Sequence, residues 1–266
     1  MSYETIKLER EDGIGVMTLN RPDKLNAVSP TMWFELSAAF DEVRSDDDIR
    51  VLILTGADPG FCAGADVEET LTLAVPGAEA PPRTKQQLKE PMGIAGLRVA
   101  MLEKPTIAAV NGVAAGMGFS LALACDIRIA SENAKFRNVF VRMGLIPDNG
   151  LTYFLPRLVG LAKALEFMYT GAKIDVAEAE RLGMVNKVVP HNELLKESKE
   201  MAKKIAEAAP MAIELTKWAT NRGLSTDIEE LIQLETFAQR ICLETEDFQE
   251  GIKSFMEKRP PAFKGR

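Results

Sequence analysis

The chain has 266 residues, of which 39 are acidic and 32 basic, and its formal net charge at pH 7 is −7. This length accommodates one large domain, or one domain with a helical extension. The acidic balance argues against a general nucleic-acid binder, because neutralising nucleic-acid phosphates requires a basic face. The chain has three cysteines, Cys62, Cys125 and Cys242, which lack the spacing of metal ligands. They therefore predict no metal site, and their small number predicts a reducing, cytoplasmic compartment.

In chain order, the first part of the sequence alternates strand and helix signals. Residues 14–19 predict a strand, and the continuous apolar run at residues 51–55 is typical of a strand covered on both faces. Between them, Ser29 and Pro30 predict the capped start of a helix. A further helix is predicted from about Val67. Strands that alternate with helices in this way indicate the α/β class.

The middle of the chain is dominated by residues 105–125, which contain no Asp, Glu, Lys or Arg. Asn111, Ser120 and several glycines interrupt this stretch, so it predicts a buried strand and a buried helix rather than a membrane span. The proline-rich residues 75–82 are expected to form a mobile or variable loop. The strands expected here are residues 106–110, 126–130 and 185–189, and the helices are residues 94–103, 117–124, 153–169 (in two pieces, broken at Pro156 and Gly160) and 175–182.

The last part of the sequence, after Pro190, changes character. It predicts helices with charged outer faces and apolar stripes. The stripes pack either against another subunit or against the chain's own core, and the sequence leaves both alternatives open. The predicted helices are residues 193–208, 210–221, 227–245 and 250–257, and residues 259–264 are expected to form an extended tail.

Two glycine-containing turns each open a predicted helix. They are Cys62-Ala63-Gly64-Ala65-Asp66 and Gly116-Met117-Gly118. Free N–H groups at a helix N-terminus favour negative charge. Two such groups that converge from separate turns stabilise an oxygen that becomes negative during a reaction. Either turn alone is also explained by ordinary strand–turn–helix packing.

A single histidine, His191, lies in a predicted turn. Any Ser-His-Asp triad or histidine-rich metal site would have to use it. A histidine in a turn is usually solvated, so we expect neither kind of site.

Several longer motifs occur along the chain in a definite order. They are Asn20-Arg21-Pro22-Asp23-Lys24-Leu25-Asn26-Ala27, Phe61-Cys62-Ala63-Gly64-Ala65-Asp66, residues 110–127, Arg181-Leu182-Gly183-Met184-Val185-Asn186 and the tail at residues 259–264. Together they resemble the crotonase (enoyl-CoA hydratase/isomerase) family over essentially the whole chain.

The resemblance implies an α/β fold, a crotonase (ClpP-like) spiral of β-β-α units at residues 1–195. A helical trimerisation region with a CoA-contacting tail would follow at residues 196–266. The resemblance also implies an acyl-CoA substrate, a homotrimer or dimer of trimers, and no cofactor beyond the CoA moiety of the substrate. Neither nucleic acid nor membrane is expected as a partner.

The resemblance further implies roles for residues of the two turns. The N–H groups of Ala65 and Met117 would form the oxyanion hole for the thioester carbonyl, and Gly64 would contact the substrate. Lys24 can oppose a CoA phosphate on a chain that is acidic overall. The residues that would line the CoA site are Lys24, Leu25, Ala27, Ala63 and Asp66, and those that would reach the CoA of a neighbouring subunit are Phe263 and Lys264.

At two positions the sequence departs from the hydratases of this family. Their two catalytic glutamates align with Ser120 and Phe140. Hydration uses two carboxylates, which orient water and move protons at both carbons, so ordinary hydratase activity is not expected. Ser120 and Phe140 are instead expected to line the acyl site, with Phe140 as a wall near an apolar or ring-bearing acyl group. An ordinary core position is the alternative for Phe140.

Asp148, in Leu145-Ile146-Pro147-Asp148-Asn149-Gly150, is the carboxylate that remains in this neighbourhood. Its position is similar to that of the single catalytic acid of enoyl-CoA isomerases, and its loop resembles the Ile-Pro-Asp loop of ring-epoxide phenylacetyl-CoA isomerases. One base suffices for a 1,3 proton shift, since it removes a proton from the α-carbon and returns it at the γ-carbon. A turn aspartate that bonds its own backbone is the alternative. Glu68 and Glu69, near the first turn, are weaker candidates.

The sequence therefore predicts an acyl-CoA isomerase that moves a carbon–carbon double bond. Asp148 would act as acid and base, and Ala65 and Met117 would supply the oxyanion donors. The alternatives are an enoyl-CoA hydratase or an acyl-CoA hydrolase of the same family without the usual glutamate pair. Outside the enzymes, the alternative is a non-catalytic paralogue that binds CoA or associates with RNA, and the negative net charge weakens the RNA version.

Overall fold

The computed structural model describes residues 2–72 and 94–266, which fold as alternating strands and helices. The strands are β1 (Ile6–Glu11), β2 (Ile14–Leu19), β3 (Val51–Gly56), β4 (Thr106–Val110), β5 (Val113–Ala115), β6 (Ile127–Ser131), β7 (Lys135–Arg137), β8 (Lys173–Asp175) and β9 (Lys187–Val189). The helices are α1 (Pro30–Ser45), α2 (Ile94–Ala100), α3 (Met117–Ala124), α4 (Leu151–Val159), α5 (Leu161–Thr170), α6 (Val176–Arg181), α7 (Leu194–Ala206), α8 (Pro210–Gly223), α9 (Ile228–Leu243) and α10 (Glu246–Glu257). Short helical turns occur at Pro22–Lys24, Val67–Leu71, Phe140–Met143 and His191–Glu193.

The main sheet has six strands in the order β1-β2-β3-β4-β6-β9. β1 and β2 pair antiparallel, and the other neighbours pair parallel. Along β3 the side chains alternate between two cores. Leu52 and Leu54 face a core that includes α1, α2 and α3, whereas Val51 and Ile53 face a second core that includes α7. Both faces of the sheet are therefore covered, as the apolar run predicted.

The strands expected from the sequence are confirmed as β2, β3, β4, β6 and β9, with ends shifted by up to two residues. β1, β5, β7 and β8 were not predicted. β5, β7 and β8 form a small second sheet in that order, and with three residues each they are too short to show a period of two. β1 lies at the edge of the main sheet with most of its side chains exposed, so its apolar signal is weak.

The uncharged residues 105–125 fold as β4, β5 and α3, in agreement with the prediction of a buried strand and helix. All eight residues of α3 are buried. No helix within residues 2–72 and 94–266 is both long enough and apolar enough to cross a membrane.

Pro156 lies inside α4 and does not end it, contrary to expectation. The proline removes one N–H donor, but Leu155 and Leu158 on either side of it pack into the core and hold the helical turn. The break falls at Gly160, whose φ of +80° is readily accessible to glycine.

Another predicted helix is shorter than expected, since the helix expected at residues 94–103 ends at Ala100. The helix expected from about Val67 begins there as the helical turn Val67–Leu71, and residues 73–93, which follow it, lie outside the described part of the chain. The loop expected at residues 75–82 lies outside the described residues.

The C-terminal helices divide into one that packs on the sheet and three that bury few of their side chains. Leu194, Ala202 and Ala206 of α7 are buried in the second core, so this helix packs on the chain's own sheet. The domain boundary expected between residues 195 and 196 falls inside it. The residues that α8, α9 and α10 bury are Ala238, Asp247 and Ser254.

Candidate active site

The two glycine-containing turns lie side by side. The Cys62 N–H donates to the Val113 carbonyl at 2.9 Å, and the Ala115 N–H donates to the Cys62 carbonyl at 2.9 Å, so β5 is bonded to the first turn. A Cβ atom on Gly118 would overlap the Cys62 carbonyl oxygen and lie 2.6 Å from the Cys62 Cβ atom. Only a glycine permits this approach. The close contact and the two hydrogen bonds of Cys62 together set the distance between the two turns.

Gly64 brings the first turn against the start of α3. Its φ of +107° is a conformation that side chains disfavour, and a Cβ atom there would lie 3.6 Å from the Met117 nitrogen. Met117 is the first residue of α3, so its N–H lies at the positive end of the helix dipole. Within residues 2–72 and 94–266, neither the Ala65 N–H nor the Met117 N–H donates a hydrogen bond to another residue. Both donors are available to an oxygen placed between the turns.

Asp148 lies in the loop before α4 and is tied to α3. The Ser120 hydroxyl donates to the Asp148 carbonyl oxygen at 2.9 Å, and the Leu151 N–H donates to the same oxygen at 3.1 Å. The Asp148 carboxylate accepts a hydrogen bond from the Asn149 side-chain amide at 2.8 Å. Partial removal from water raises the pKa of Asp148 above its ordinary value, and the Asn149 hydrogen bond opposes that rise. A raised pKa brings a carboxylate closer to the range in which it both accepts and returns protons.

Phe140 and Ser120 occupy the interior beside the turn at Gly116. Phe140 is buried, and a Cβ atom on Gly116 would lie 3.9 Å from its ring. Ser120 is fully buried, and its Oγ lies 3.3 Å from the Gly116 carbonyl oxygen. Phe140 thus places an apolar ring next to the turn, and Ser120 has a hydroxyl already bonded within the protein. Their contact with an acyl group stays a prediction.

The turn at residues 24–27 lies against the first glycine-containing turn. The Ala63 N–H donates to the Leu25 carbonyl at 3.0 Å. Leu25 is 40% exposed, and the exposed Lys24 forms an ion pair with Glu68 at 2.9 Å. The residues expected at the CoA site are therefore neighbours, and their contact with CoA stays a prediction.

Asp66 joins these two turns through Arg21, whose role no sequence pattern indicated. The buried Asp66 carboxylate accepts hydrogen bonds from the N–H groups of Glu68 and Glu69 at 3.1 Å and pairs with Arg21 at 2.9 Å. Arg21 also pairs with Glu69 at 2.6 Å and donates to the Ala27 carbonyl at 2.8 Å. The Asp66 carboxylate is thus occupied within the protein, where it caps a helical turn and holds the two turns together.

The tail after α10 folds back on its own chain. The N–H groups of Lys264 and Gly265 donate to the Asp247 carboxylate at 2.6 and 2.8 Å. The Phe263 carbonyl accepts a hydrogen bond from Arg50 at 2.9 Å. Lys264 itself is exposed. The expected contact of Phe263 and Lys264 with the CoA of a neighbouring subunit stays a prediction.

His191 is not a freely solvated turn residue, and in this respect the sequence-based expectation was wrong. Its Nδ1 lies 3.1 Å from Ser131 Oγ, and its Nε2 lies 3.2 Å from Asp58 Oδ2. Ser131 is fully buried and also accepts a hydrogen bond from the Asn133 N–H at 3.1 Å. A nucleophilic serine must reach its substrate, so this row of hydrogen bonds is not a hydrolytic triad. In the described part of the chain, no group of three or more His, Cys, Asp or Glu side chains is placed to hold a metal ion.

The sequence was also compared with models of known protein families. The family model described as enoyl-CoA hydratase/isomerase matches residues 9–266. The chain belongs to this family. Membership confirms the prediction of an α/β crotonase fold. It also confirms that the protein is an enzyme of the enoyl-CoA hydratase/isomerase family, and an acyl-CoA substrate fits that family.

Relatives in the enoyl-CoA hydratase/isomerase family include both hydratases and an isomerase. The chain is 40% identical to the short-chain-enoyl-CoA hydratase of Clostridium acetobutylicum, with 100% of each chain covered. It is 37% identical to the 1,2-epoxyphenylacetyl-CoA isomerase of Escherichia coli, with 96% of this chain and 97% of that one covered. The solved structure of an enoyl-CoA hydratase from Bacillus anthracis matches with a TM-score of 0.89 at 35% identity, over 99% of this chain and 100% of that one. Family membership alone therefore does not choose between the two reactions.

Proposed function

We propose that the protein is an acyl-CoA isomerase that moves a carbon–carbon double bond by a 1,3 proton shift. One observation carries the proposal, namely the attachment of the Asp148 loop to the helix that begins at Met117. Ser120 Oγ lies 2.9 Å from the Asp148 carbonyl oxygen and 3.3 Å from the Gly116 carbonyl oxygen. The loop that carries the carboxylate therefore lies beside the turn that carries an oxyanion donor.

In the proposed reaction, a 3-enoyl thioester places its carbonyl oxygen between the N–H groups of Ala65 and Met117. Asp148 removes a proton from the α-carbon, and the electron pair passes to the thioester oxygen to give a dienolate. The two N–H donors and the dipole of α3 stabilise the negative oxygen. The protonated Asp148 then returns the proton at the γ-carbon, and the double bond moves into conjugation with the carbonyl.

One acid–base group completes this cycle, whereas hydration needs a second carboxylate. By resemblance to the hydratases, that carboxylate would stand at position 120 or 140. Phe140 has a buried ring, and the Ser120 hydroxyl is bonded to a main-chain carbonyl. Glu68 is engaged in an ion pair with Lys24. These observations favour isomerisation over hydration.

A hydratase of altered mechanism is the second candidate, and the names of the relatives favour it. Identity is 40% to the short-chain-enoyl-CoA hydratase and 37% to the 1,2-epoxyphenylacetyl-CoA isomerase. A difference of this size in overall identity does not distinguish the two reactions. The replacement of both glutamates by Ser120 and Phe140 does, because neither side chain can act as a carboxylate. We therefore place isomerisation first.

The test measures absorbance of the conjugated 2-enoyl thioester formed from 3-hexenoyl-CoA by the wild type and by Asp148→Asn. We expect product with the wild type and a loss of about 10²- to 10⁴-fold in rate with the variant, because the acid–base group is removed. Asp12→Asn, at an exposed aspartate in the β1–β2 turn, is the control and is expected to keep full activity.

Other outcomes separate the alternatives. Hydration of crotonyl-CoA that survives Asp148→Asn would contradict this assignment and favour a second, unrecognised site. Hydration or release of free CoA that depends on Asp148 would identify a hydratase or a hydrolase. Binding of CoA without turnover of any 2- or 3-enoyl thioester would support a non-catalytic protein.

We also infer that the chain assembles as a homotrimer or a dimer of trimers through its C-terminal helices. Large exposed apolar side chains mark interaction surfaces on soluble proteins. Those on α9 and α10 are Ile228, Ile232, Phe237, Leu243, Phe248, Ile252, Phe255 and Met256. A surface groove of about 570 Å³ lies along α10 between several of them.

A further inference from the structure

Asn149 follows Asp148 and is buried against α2. Its φ of +50° is a left-handed conformation, which asparagine adopts more readily than most side chains. It is 4% exposed. A Cβ atom on Gly96 would overlap the Asn149 carbonyl oxygen, so α2 packs directly on this residue. Both the backbone and the surroundings of Asn149 are therefore tightly defined.

The Asn149 side chain has two different neighbours, which fix the orientation of its amide. The Gly96 N–H donates to Asn149 Oδ1 at 3.4 Å, and Asn149 Nδ2 donates to Asp148 Oδ1 at 2.8 Å. If the amide were rotated by 180°, its NH₂ group would face the Gly96 N–H and its oxygen would face the Asp148 carboxylate. Neither pair could form a hydrogen bond, so the orientation of the amide is settled. The side chain therefore presents a fixed donor to one oxygen of the carboxylate.

In the described part of the chain, no cation forms an ion pair with Asp148. The cations on the neighbouring elements are Arg98 on α2, Arg142 in the turn before the loop and Arg157 on α4, and α3 has no charged side chain. Arg98 pairs with Asp41 at 2.7 Å. Within residues 2–72 and 94–266, Asn149 thus supplies the one side-chain hydrogen bond to the Asp148 carboxylate.

We propose that Asn149 is a positioning residue that fixes the Asp148 carboxylate for proton transfer, an inference that rests on the proposed isomerase function. The amide binds Oδ1 of the carboxylate, whose charge the main-chain N–H of Asp148 also stabilises. It also favours the ionised form, because the hydrogen bond is accepted best by a charged carboxylate, whereas burial has the opposite effect. A base that is held in one orientation and kept ionised removes the α-proton without first reorganising.

The test compares Asn149→Gly with the wild type. Glycine adopts a φ near +50° freely, so this change removes the amide without straining the backbone. Asp12, in the exposed β1–β2 turn, has a φ of +51°, which makes Asp12→Gly a matched control for replacing a left-handed residue. Asn149→Asp keeps the shape of the side chain and its acceptor for the Gly96 N–H, but replaces the donor with a like charge.

Two readouts are needed. The first is the pH dependence of kcat with 3-hexenoyl-CoA. The second is the titration of carboxyl-¹³C aspartate, in which the Asp148 signal is assigned by its absence from Asp148→Asn. The titration follows the carboxyl group directly and does not depend on turnover.

We expect Asn149→Gly to raise the pKa of Asp148 and to move the acidic limb of kcat to higher pH. At the plateau we expect kcat to fall by about 10- to 100-fold with KM within about threefold, since the change affects orientation rather than binding. Asn149→Asp is expected to raise the pKa further, because a like charge disfavours ionisation. Asp12→Gly is expected to match the wild type.

An Asp148 titration that is unchanged in both Asn149 variants would overturn the role assigned to Asn149. If the wild type does not isomerise 3-enoyl thioesters, the proposed function fails separately, and the titration still decides whether Asn149 holds the carboxylate.

Discussion

The Ser120 hydroxyl donates a hydrogen bond to the main-chain carbonyl oxygen of Asp148 over 2.9 Å. Ser120 lies three residues into α3, which begins at Met117. The bond therefore couples the position of the proposed acid to the helix N-terminus that carries a proposed oxyanion donor. The same helix therefore holds both the Asp148 loop and the Met117 N–H, two groups that would act on one substrate.

Replacement of Ser120 by alanine is expected to weaken this coupling. The Asp148 carbonyl keeps its hydrogen bond from the Leu151 N–H, so we expect a loss of only about 1 kcal/mol in the free energy of unfolding. The loop is no longer tied to α3, and a displaced base lowers the rate. We therefore expect kcat to fall by about 10-fold or more with little change in KM. Urea unfolding and initial rates with 3-hexenoyl-CoA measure the two effects.

Ser198→Ala is the matched control for this experiment. Ser198 is also fully buried, and its hydroxyl donates to the Leu194 carbonyl within α7 at 2.8 Å. We expect a comparable change in stability without a change in kcat. A wild-type kcat in Ser120→Ala would show that Ser120 does not position the base.

Gly118 is expected to tolerate no side chain, because a Cβ atom there would overlap the Cys62 carbonyl oxygen. Gly118→Ala must push the two turns apart. Overpacking of this kind costs about 1–3 kcal/mol of stability, and the loss of an oxyanion donor costs about 10²- to 10³-fold in kcat. We expect both effects, measured by thermal unfolding and by steady-state rates.

Gly183 provides the comparison. Its φ is +72°, but no atom lies within 4 Å of a Cβ atom built on it. Gly183→Ala therefore tests left-handed strain alone, which costs about 1–2 kcal/mol, and is expected to leave activity unchanged. Full activity in Gly118→Ala would refute the view that this contact holds the oxyanion donors in place.

Most of the main sheet and the two turns could be predicted from the sequence, because each depends on local signals. Ser29 and Pro30 mark the start of α1, and Ser29 accepts a hydrogen bond from the Met32 N–H as a capping residue should. Gly64 and Gly116 supply the positive φ that the backbone takes within each of these two turns. Asp148 was singled out because its loop resembles the Ile-Pro-Asp loop of ring-epoxide phenylacetyl-CoA isomerases, and its role stays a prediction.

The contacts that organise the site could not be predicted, because they join residues distant in the sequence. Asn149 and Gly96 are 53 positions apart, and a Pro-Asp-Asn-Gly segment is also typical of an ordinary turn. The hydrogen bonds of His191 to Ser131 and Asp58 likewise span 60 and 133 positions. No periodicity records such pairs, so no sequence pattern indicated that His191 is held on both sides.

The pH dependence of stability gives an independent measure of Asp148. Burial raises the pKa of its carboxyl in the folded chain above the ordinary value of about 3.9. Below that value the carboxyl is protonated in both states and has no effect on stability. As the pH rises through the raised folded pKa, the folded state must ionise a carboxyl whose charge its surroundings disfavour, so stability is lost. Asp148→Asn avoids this loss and keeps an oxygen that can accept the Asn149 hydrogen bond.

We therefore expect Asp148→Asn to unfold at a higher urea concentration than the wild type at about pH 7.5, and at the same concentration at about pH 3.5. Asp12→Asn, at an exposed turn position, is the control and is expected to show no such difference. An Asp148→Asn variant that is less stable than the wild type at the higher pH would contradict burial as the cause of the raised pKa.

Phe255 on α10 is 84% exposed, and its neighbour Met256 is 77% exposed. In the proposed assembly these side chains lie in a subunit interface. Phe255→Asp would bury an unpaired charge there, at a cost of several kcal/mol. We expect the wild type to sediment as a trimer or a hexamer and Phe255→Asp to sediment as a monomer.

Leu161, at the start of α5, is 65% exposed, and Leu161→Asp is expected to keep the wild-type mass. A wild type that sediments as a single 29.2 kDa chain would contradict the assembly, and a Phe255→Asp variant that keeps the full mass would exclude this face of α10 from the interface.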